Sequence, residues 1–177
     1  MQTAPKAFGD KLTVFIAEGF GIGRIPLAPG TFGTALGFVW IYLLLVPRNL
    51  WIYLAGIVGG FFFAVWVGHR AEKILGKEDP GSIVIDEITA IPLAFLPAVL
   101  MHSNETFVPS ADFYLSSLKL SALPLLTFAL FRLFDVWKPL GIARIQNVPR
   151  GYGLVLDDFL AAIPSALLLY VYMKIAG

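Results

Sequence analysis

Five apolar stretches, residues 34–46, 50–67, 88–101, 120–134 and 159–173, leave this chain few folds to choose from. Inside hydrocarbon every backbone N–H and C=O needs an internal partner, so stretches of this kind are helices. Hydrophobic residues make up 58% of the chain and charged residues 14%, outside the usual range of soluble domains. The expected fold is an all-α integral membrane protein, a compact bundle of about five transmembrane helices. Several stretches fall short of the roughly 20 residues that a hydrocarbon core of about 30 Å requires, so some helices must begin within their polar flanks or be re-entrant. Pro92, Pro97, Pro124 and Pro164 are the candidate kink sites.

Ahead of the bundle, Phe8, Leu12, Phe15, Ile16 and Phe20 recur at helical spacing, with Asp10, Lys11 and Glu18 off that stripe. Residues 1–20 therefore read as an interfacial amphipathic helix lying on the membrane, and 21–177 as one bundle within a single membrane-embedded domain. The apolar run at 13–17 is too short for a signal-peptide core, so the start reads as mature sequence. A net charge of +1 without a basic stripe argues against a nucleic-acid partner. With zero cysteines, any metal must be held by oxygen or imidazole. His69 and His102 have no partner at ligand spacing and read as interface residues.

The basic residues fix an orientation. Lys6, Lys11, Arg24, Arg70, Lys73, Lys77, Arg132, Lys138, Arg144 and Arg150 fall on one side of the alternating spans, and only Arg48, Lys119 and Lys174 on the other. Positive charge favours the cytoplasmic side, so the N-terminus and three polar loops share that face.

Those loops hold the chemistry. Asp86-Glu87 and Asp157-Asp158 each open an apolar stretch, and Asp135 closes another beside Lys138. Carboxylates are costly next to hydrocarbon and usually functional there. Neighbouring helical residues point about 100° apart, so both members of a pair cannot face open water as the helix enters the bundle. Acids from separate helices can together hold a hard cation such as Mg²⁺. Arg132, Asp135 and Lys138, at three-residue spacing, form a strip able to hold phosphate oxygens and a metal, although a solvated ion-pair ladder has the same spacing. In Gly23 to Thr34, glycines would let backbone amides approach an anion, and Thr31 or Thr34 could cap the following helix or serve a phosphate there. Asp79 before Pro80 reads as an N-cap.

Taken together, Pro29-Gly30-Thr31-Phe32-Gly33-Thr34, Ile83-Val84-Ile85-Asp86-Glu87, Phe131-Arg132-Leu133-Phe134-Asp135 with Lys138-Pro139, and the run from Gly151 to Asp158 resemble the phosphatidylglycerophosphatase A family. The resemblance implies a bacterial inner-membrane enzyme that dephosphorylates phosphatidylglycerophosphate to phosphatidylglycerol with Mg²⁺, its phospholipid substrate staying in the bilayer. It maps the family's acidic, metal-binding positions onto Asp79, Asp86, Glu87, Asp135, Asp157 and Asp158. Asp86, Glu87, Asp135, Lys138, Asp157 and Asp158 would then be catalytic, with Thr31, Thr34, Arg132, Lys138 and Arg144 on the substrate phosphate. The alternative is a small ion- or proton-coupled transporter, because intramembrane acids also mark ion paths. Reporter fusions test the orientation. Asn49 and Asn104 should report as external, and a cytoplasmic signal from both would invert it.

Overall fold

The computed structural model describes residues 7–138 and 151–176. Helix α1 spans Phe8–Ala17, and a 3₁₀ turn at Ile22–Arg24 leads into α2, Pro29–Leu45. There follow α3 (Leu50–Leu75), α4 (Ile85–His102), a short α5 (Ala111–Leu115), α6 (Leu118–Trp137) and α7 (Tyr152–Ala176). Helices α3, α4, α6 and α7 are each long and apolar enough to cross a membrane. Helix α2 is apolar but has 17 residues, about 25 Å of rise. With it the bundle has the five long helices that the apolar pattern leads one to expect.

The helices outrun their apolar stretches. Helix α3 continues past residue 67 to Leu75 and ends on Gly76 in the left-handed conformation at φ 65°. Helix α7 starts at Tyr152 rather than 159, which puts Asp157 and Asp158 inside the helix instead of ahead of it. The polar flanks are helical because other helices cover them at the end of the bundle, so hydropathy undercounts them. Helices α4, α6 and α7 also run on through Pro92, Pro97, Pro124 and Pro164.

Helix α4 is the centre of the packing, with its most extensive contact on α7 and further contacts on α2, α3 and α6. Ala90, Ala94 and Ala98, one turn apart, are fully buried, and α7 contributes buried Ala161, Ala162 and Ser165. Small side chains let helix backbones approach closely, the main source of packing between helices in lipid. At Gly37 of α2 the approach to α4 is close, since a Cβ there would lie 2.5 Å from Ile91 Cγ2 and 3.1 Å from the Ile88 carbonyl oxygen. That carbonyl is the one Pro92, having no N–H, leaves without its helical donor. The Pro92 carbonyl in turn accepts the Tyr53 hydroxyl of α3 at 2.9 Å, both groups buried.

The alternation of the long helices sorts the loops. At one end Leu50 N donates to Thr106 O and Val108 N to Arg48 O, while the Asn49 side chain accepts from Trp51 N and Ile52 N to cap α3. The starts of α2, α4 and α7 and the end of α6 meet at the other end. Helix α1 packs on α3 there, burying Val14 and Ala17 and leaving Phe8, Leu12, Phe15 and the following Phe20 exposed, as an interfacial helix requires. Glu18 departs from the amphipathic pattern. It is buried, and its Oε2 accepts from Arg24 Nε at 2.6 Å.

The packing at Gly37 has a direct test. Gly37→Val should lower the thermal unfolding midpoint in detergent, by the equivalent of about 1–3 kcal/mol for overpacking. Gly59→Ala, where a Cβ would meet nothing within 4 Å, should not lower it. Equal midpoints for the two variants would contradict the close α2–α4 contact.

Candidate active site

Four helices bring side chains to one end of the bundle, and each does so for a legible local reason. On α6 the buried residues are Leu123, Thr127, Phe131 and Asp135, a strict four-residue repeat that makes one inward stripe. Asp135 is the last member of that stripe, so the packing of the apolar members aims its carboxylate inward. Asp86 and Glu87 occupy the first turn of α4, where Glu87 N donates to Asp86 Oδ1 at 3.1 Å. Negative side chains suit that end of a helix. Asp157 and Asp158 lie in the second turn of α7, both buried, because α7 is already surrounded at that level. Helix α2 supplies Gly30 and Thr34 from its first turns.

One oxygen from each of Asp86, Glu87 and Asp158 falls within 4.8 Å of the other two. Beside this group, Arg132 Nη1 lies 2.5 Å from Asp135 Oδ2, 3.9 Å from Glu87 Oε1 and 3.5 Å from Thr34 Oγ1. Lys138 Nζ lies 3.7 Å from Asp135 Oδ1 and donates to Asp157 Oδ2. Asp135 thus joins the two cations, and the ladder read at three-residue spacing is half-buried rather than solvated, its Arg132 and Lys138 side chains being 19% and 21% exposed. Gly30 closes the wall. A Cβ there would overlap Glu87 Oε1 and approach Arg132 Nη1 to 3.1 Å, so the α2 backbone rests directly on the charged groups.

Five carboxylates face two cations in this site among the described residues. Glu87 Oε2 and Asp158 Oδ2 are buried and have no hydrogen-bond partner among those residues, an expensive state for a carboxylate oxygen. An all-oxygen donor set drawn from two helices, with unused buried lone pairs, suits a hard divalent cation. Burial pushes the Lys138 ammonium down. The hydrogen bond to Asp157 and the charges of Asp157, Asp158 and Asp135 more than reverse this, leaving its pKa above the ordinary lysine value. Lys138 is therefore a fixed positive charge at neutral pH and not a proton donor. Such a group can hold phosphate oxygens while the paired acids beside it hold a metal.

Several expected residues are placed differently. Neither Thr31 nor Thr34 caps α2; the N-cap is Ala28, in the left-handed conformation, with Pro29 following. Thr34 is buried, and its hydroxyl donates back to Gly30 O at 2.8 Å. Thr31 is half-buried in the first turn. Asp79 is not an N-cap either, since α4 begins at Ile85 after Val84. Asp79 is exposed, its N–H donates to Glu72 Oε1 at 3.0 Å, and it is not one of the grouped carboxylates. The turn that Pro80 starts is spent before the helix begins. Arg144 lies outside the described residues. Sequence reasoning passed over Gly30 as one loop glycine among several, and only its position against Glu87 singles it out.

The model of the phosphatidylglycerophosphatase A family matches residues 15–173, a span that includes every grouped acid and both cations. A protein of Bacteroides thetaiotaomicron named "Putative phosphatidylinositol-3-phosphatase" is 34% identical over 170 residues, 94% of this chain and 96% of that protein. Phosphatidylglycerophosphatase A of Escherichia coli is 31% identical over 157 residues, covering 88% of this chain and 80% of its own. The Haemophilus influenzae phosphatidylglycerophosphatase A is 31% identical over 158 residues, covering 88% and 85%. No solved structure matches. A bundle that gathers buried carboxylates and two cations at one end, matched by the family model over nearly its whole length, is a phosphatase, and the chain belongs to the phosphatidylglycerophosphatase A family.

Proposed function

We propose that this enzyme hydrolyses the terminal phosphomonoester of phosphatidylglycerophosphate, releasing phosphate and phosphatidylglycerol, with Mg²⁺ as cofactor and on the cytoplasmic face of a bacterial inner membrane. The observation that carries this reading is the group of Asp86, Glu87 and Asp158, with unused buried oxygens, beside Arg132 and Lys138. In this assignment those three acids hold the metal, which when bound supplies polarisation of the phosphate and of the attacking oxygen. Arg132 and Lys138 bind the non-bridging phosphate oxygens. Asp135 and Asp157, each in contact with one of these cations or both, hold them in place. Asp79, set apart in its exposed turn, has no part in it.

Hydrolysis makes a new bond from a water oxygen to phosphorus and breaks the bond to the glycerol oxygen, which leaves carrying a proton. The buried acids provide the acceptor for the water's proton and return it to the leaving glycerol oxygen. Fixed cations at the phosphate lower the barrier because they need no reorganisation as charge moves toward the leaving oxygen. The positive-inside pattern supports the cytoplasmic side for this end of the bundle. An embedded fold suits the task, since the headgroup can reach the acids while the acyl chains stay in the bilayer. Buried acids gathered at one end of the bundle, in a family of enzymes, favour hydrolysis over the transporter alternative.

The Bacteroides relative supports a second reading, in which the substrate is a phosphatidylinositol 3-phosphate. The two substrates share the phosphomonoester on a polyol headgroup, so the assay must contain both. Purified protein in mixed micelles should release phosphate from phosphatidylglycerophosphate faster than from phosphatidylinositol 3-phosphate, and chelation should stop it until Mg²⁺ is restored. The reverse preference would establish the second reading. Asp86→Asn should lose more activity than the roughly 10–100-fold that loss of an outer-shell partner costs. Mg²⁺-dependent turnover surviving in a folded Asp86→Asn protein would sink the metal assignment. Lys138→Met should reduce kcat by about 10²-fold, as loss of a group that stabilises developing charge does. Gly30→Ala should also impair turnover, by displacing Glu87 and Arg132, with little change in the unfolding midpoint.

A further inference from the structure

An apolar cavity of about 460 Å³ lies between α2, α3 and α4, bounded by Trp40, Gly59, Gly60, Phe63, Ile85 and Thr89 among others. That volume is within the range of small-molecule sites, roughly 300–1,000 Å³. Val39, Gly59 and Phe63 are exposed on the outer surface of the bundle, so the cavity is a groove open to the bilayer. The glycines of α3 make it. At Gly59 a Cβ would meet nothing within 4 Å, whereas at Gly56 it would overlap Leu44, which plugs the deeper end.

Two observations connect the groove to the acids. Ile85 directly precedes Asp86, and Thr89 follows Asp86 by three residues, about 4.5 Å of helical rise. The groove therefore starts at the level of the carboxylates and runs into the hydrocarbon. The second observation is Trp40. Its Nε1 is buried without a hydrogen-bond partner among the described residues. It lies 3.5 Å from where a Gly60 Cβ would be, and Thr89 Cβ lies 3.4 Å from the same point. Indole N–H groups out of water normally find an acceptor. The Thr89 hydroxyl is turned to the Ile85 and Asp86 carbonyls, at 2.9 and 3.2 Å. Trp40 differs from Trp51, Trp66 and Trp137, which are exposed.

We propose that this groove seats one acyl chain of the phospholipid substrate, with the ester carbonyl of that chain accepting the Trp40 Nε1 hydrogen. The proposal rests on the lipid-phosphatase reading. A diacylglycerol phospholipid places its ester oxygens a few bonds inward of the phosphate and its methylenes beyond them. The structure presents, in the same order along α4, the charged site, a lone buried donor about one turn deeper, and a hydrocarbon-lined groove. Headgroup recognition alone would require neither the donor nor the groove. Trp40 and Gly59 are then specificity-determining residues, acting on the chain and not on the reacting atoms.

The test compares wild type, Gly59→Leu and Trp40→Phe on three substrates with the same headgroup: a long-chain diester, a short-chain soluble diester and a long-chain diether. Gly59→Leu places a side chain in the groove from a position where its Cβ meets nothing within 4 Å. It should raise KM for the long-chain diester at least fivefold, with kcat and the short-chain kinetics unchanged. Trp40→Phe should lose the preference of wild type for diester over diether. A readout without turnover uses chelated protein and chain-brominated lipids. Quenching of the Trp40 fluorescence, taken as wild type minus Trp40→Phe, should be stronger with brominated substrate than with brominated phosphatidylcholine at the same mole fraction, and Gly59→Leu should abolish the difference. Equal quenching by the two lipids would assign the groove to bulk lipid, and quenching by neither would assign it to another helix; each overturns the proposal. Wild type inactive on all three substrates, yet quenched selectively, would overturn the assignment of that headgroup as substrate and leave the seat standing.

Discussion

A carboxylate held away from water is costly unless positive charge offsets it, and here three of them come within 4.8 Å of one another while two more share Arg132 and Lys138 beside them. Arg132 and Lys138, joined through Asp135, offset part of that charge and tie α6 to α4 and α7. The two oxygens of Glu87 and Asp158 without partners mark what these cations leave over. Breaking such a cluster at one partner leaves a buried charge exposed to its neighbours, so the helices carrying it are constrained in depth and rotation. The charged end therefore dictates the register in which the apolar parts of the bundle must pack.

The packing below the site meets that demand with small residues. The alanines of α4 and the Ala161, Ala162 and Ser165 of α7 let the two acid-bearing helices run close together, while Gly37 lets α2 lean on α4 at the level of Pro92. Close contact on these sides leaves α2 and α3 apart on the third, where glycines of α3 line a groove instead of a seam. The same bundle is thus tight where charge must be held and open where a lipid can enter. Gly30 repeats the device at the surface, giving the α2 backbone direct contact with Glu87 and Arg132.

Particular elements show how much of this could be read in advance. The long helices and the shared end of the three loops follow from hydropathy and alternation alone. Asp86 with Glu87, and Asp157 with Asp158, stand out because their position at the edge of hydrocarbon is costly. The caps were misread at Thr31, Thr34 and Asp79, since local propensity gives way when a loop is fixed by contacts elsewhere; α2 starts on an uncapped Ala28 and α4 on Val84. The start of α7 lies about two turns before the apolar stretch, because Gly153, Leu154 and Val155 are buried in the bundle and hydropathy does not register that cover. Glu18 looked like part of a polar face and is buried against Arg24.

By itself the sequence determined that this chain spans a membrane as a helical bundle, that its paired acids and Asp135 share one end, and which family it resembles. Composition, the spacing of apolar residues and the cost of charge in lipid are properties of the chain that no packing can alter. Tertiary structure alone decided which acids come within 4.8 Å of one another, which of them hold Arg132 and Lys138, and that Trp40 lies beside a groove rather than in the lipid belt. Those outcomes depend on the rotation of each helix about its axis and on the closeness that its small residues permit, and both are settled only when four helices pack against one another.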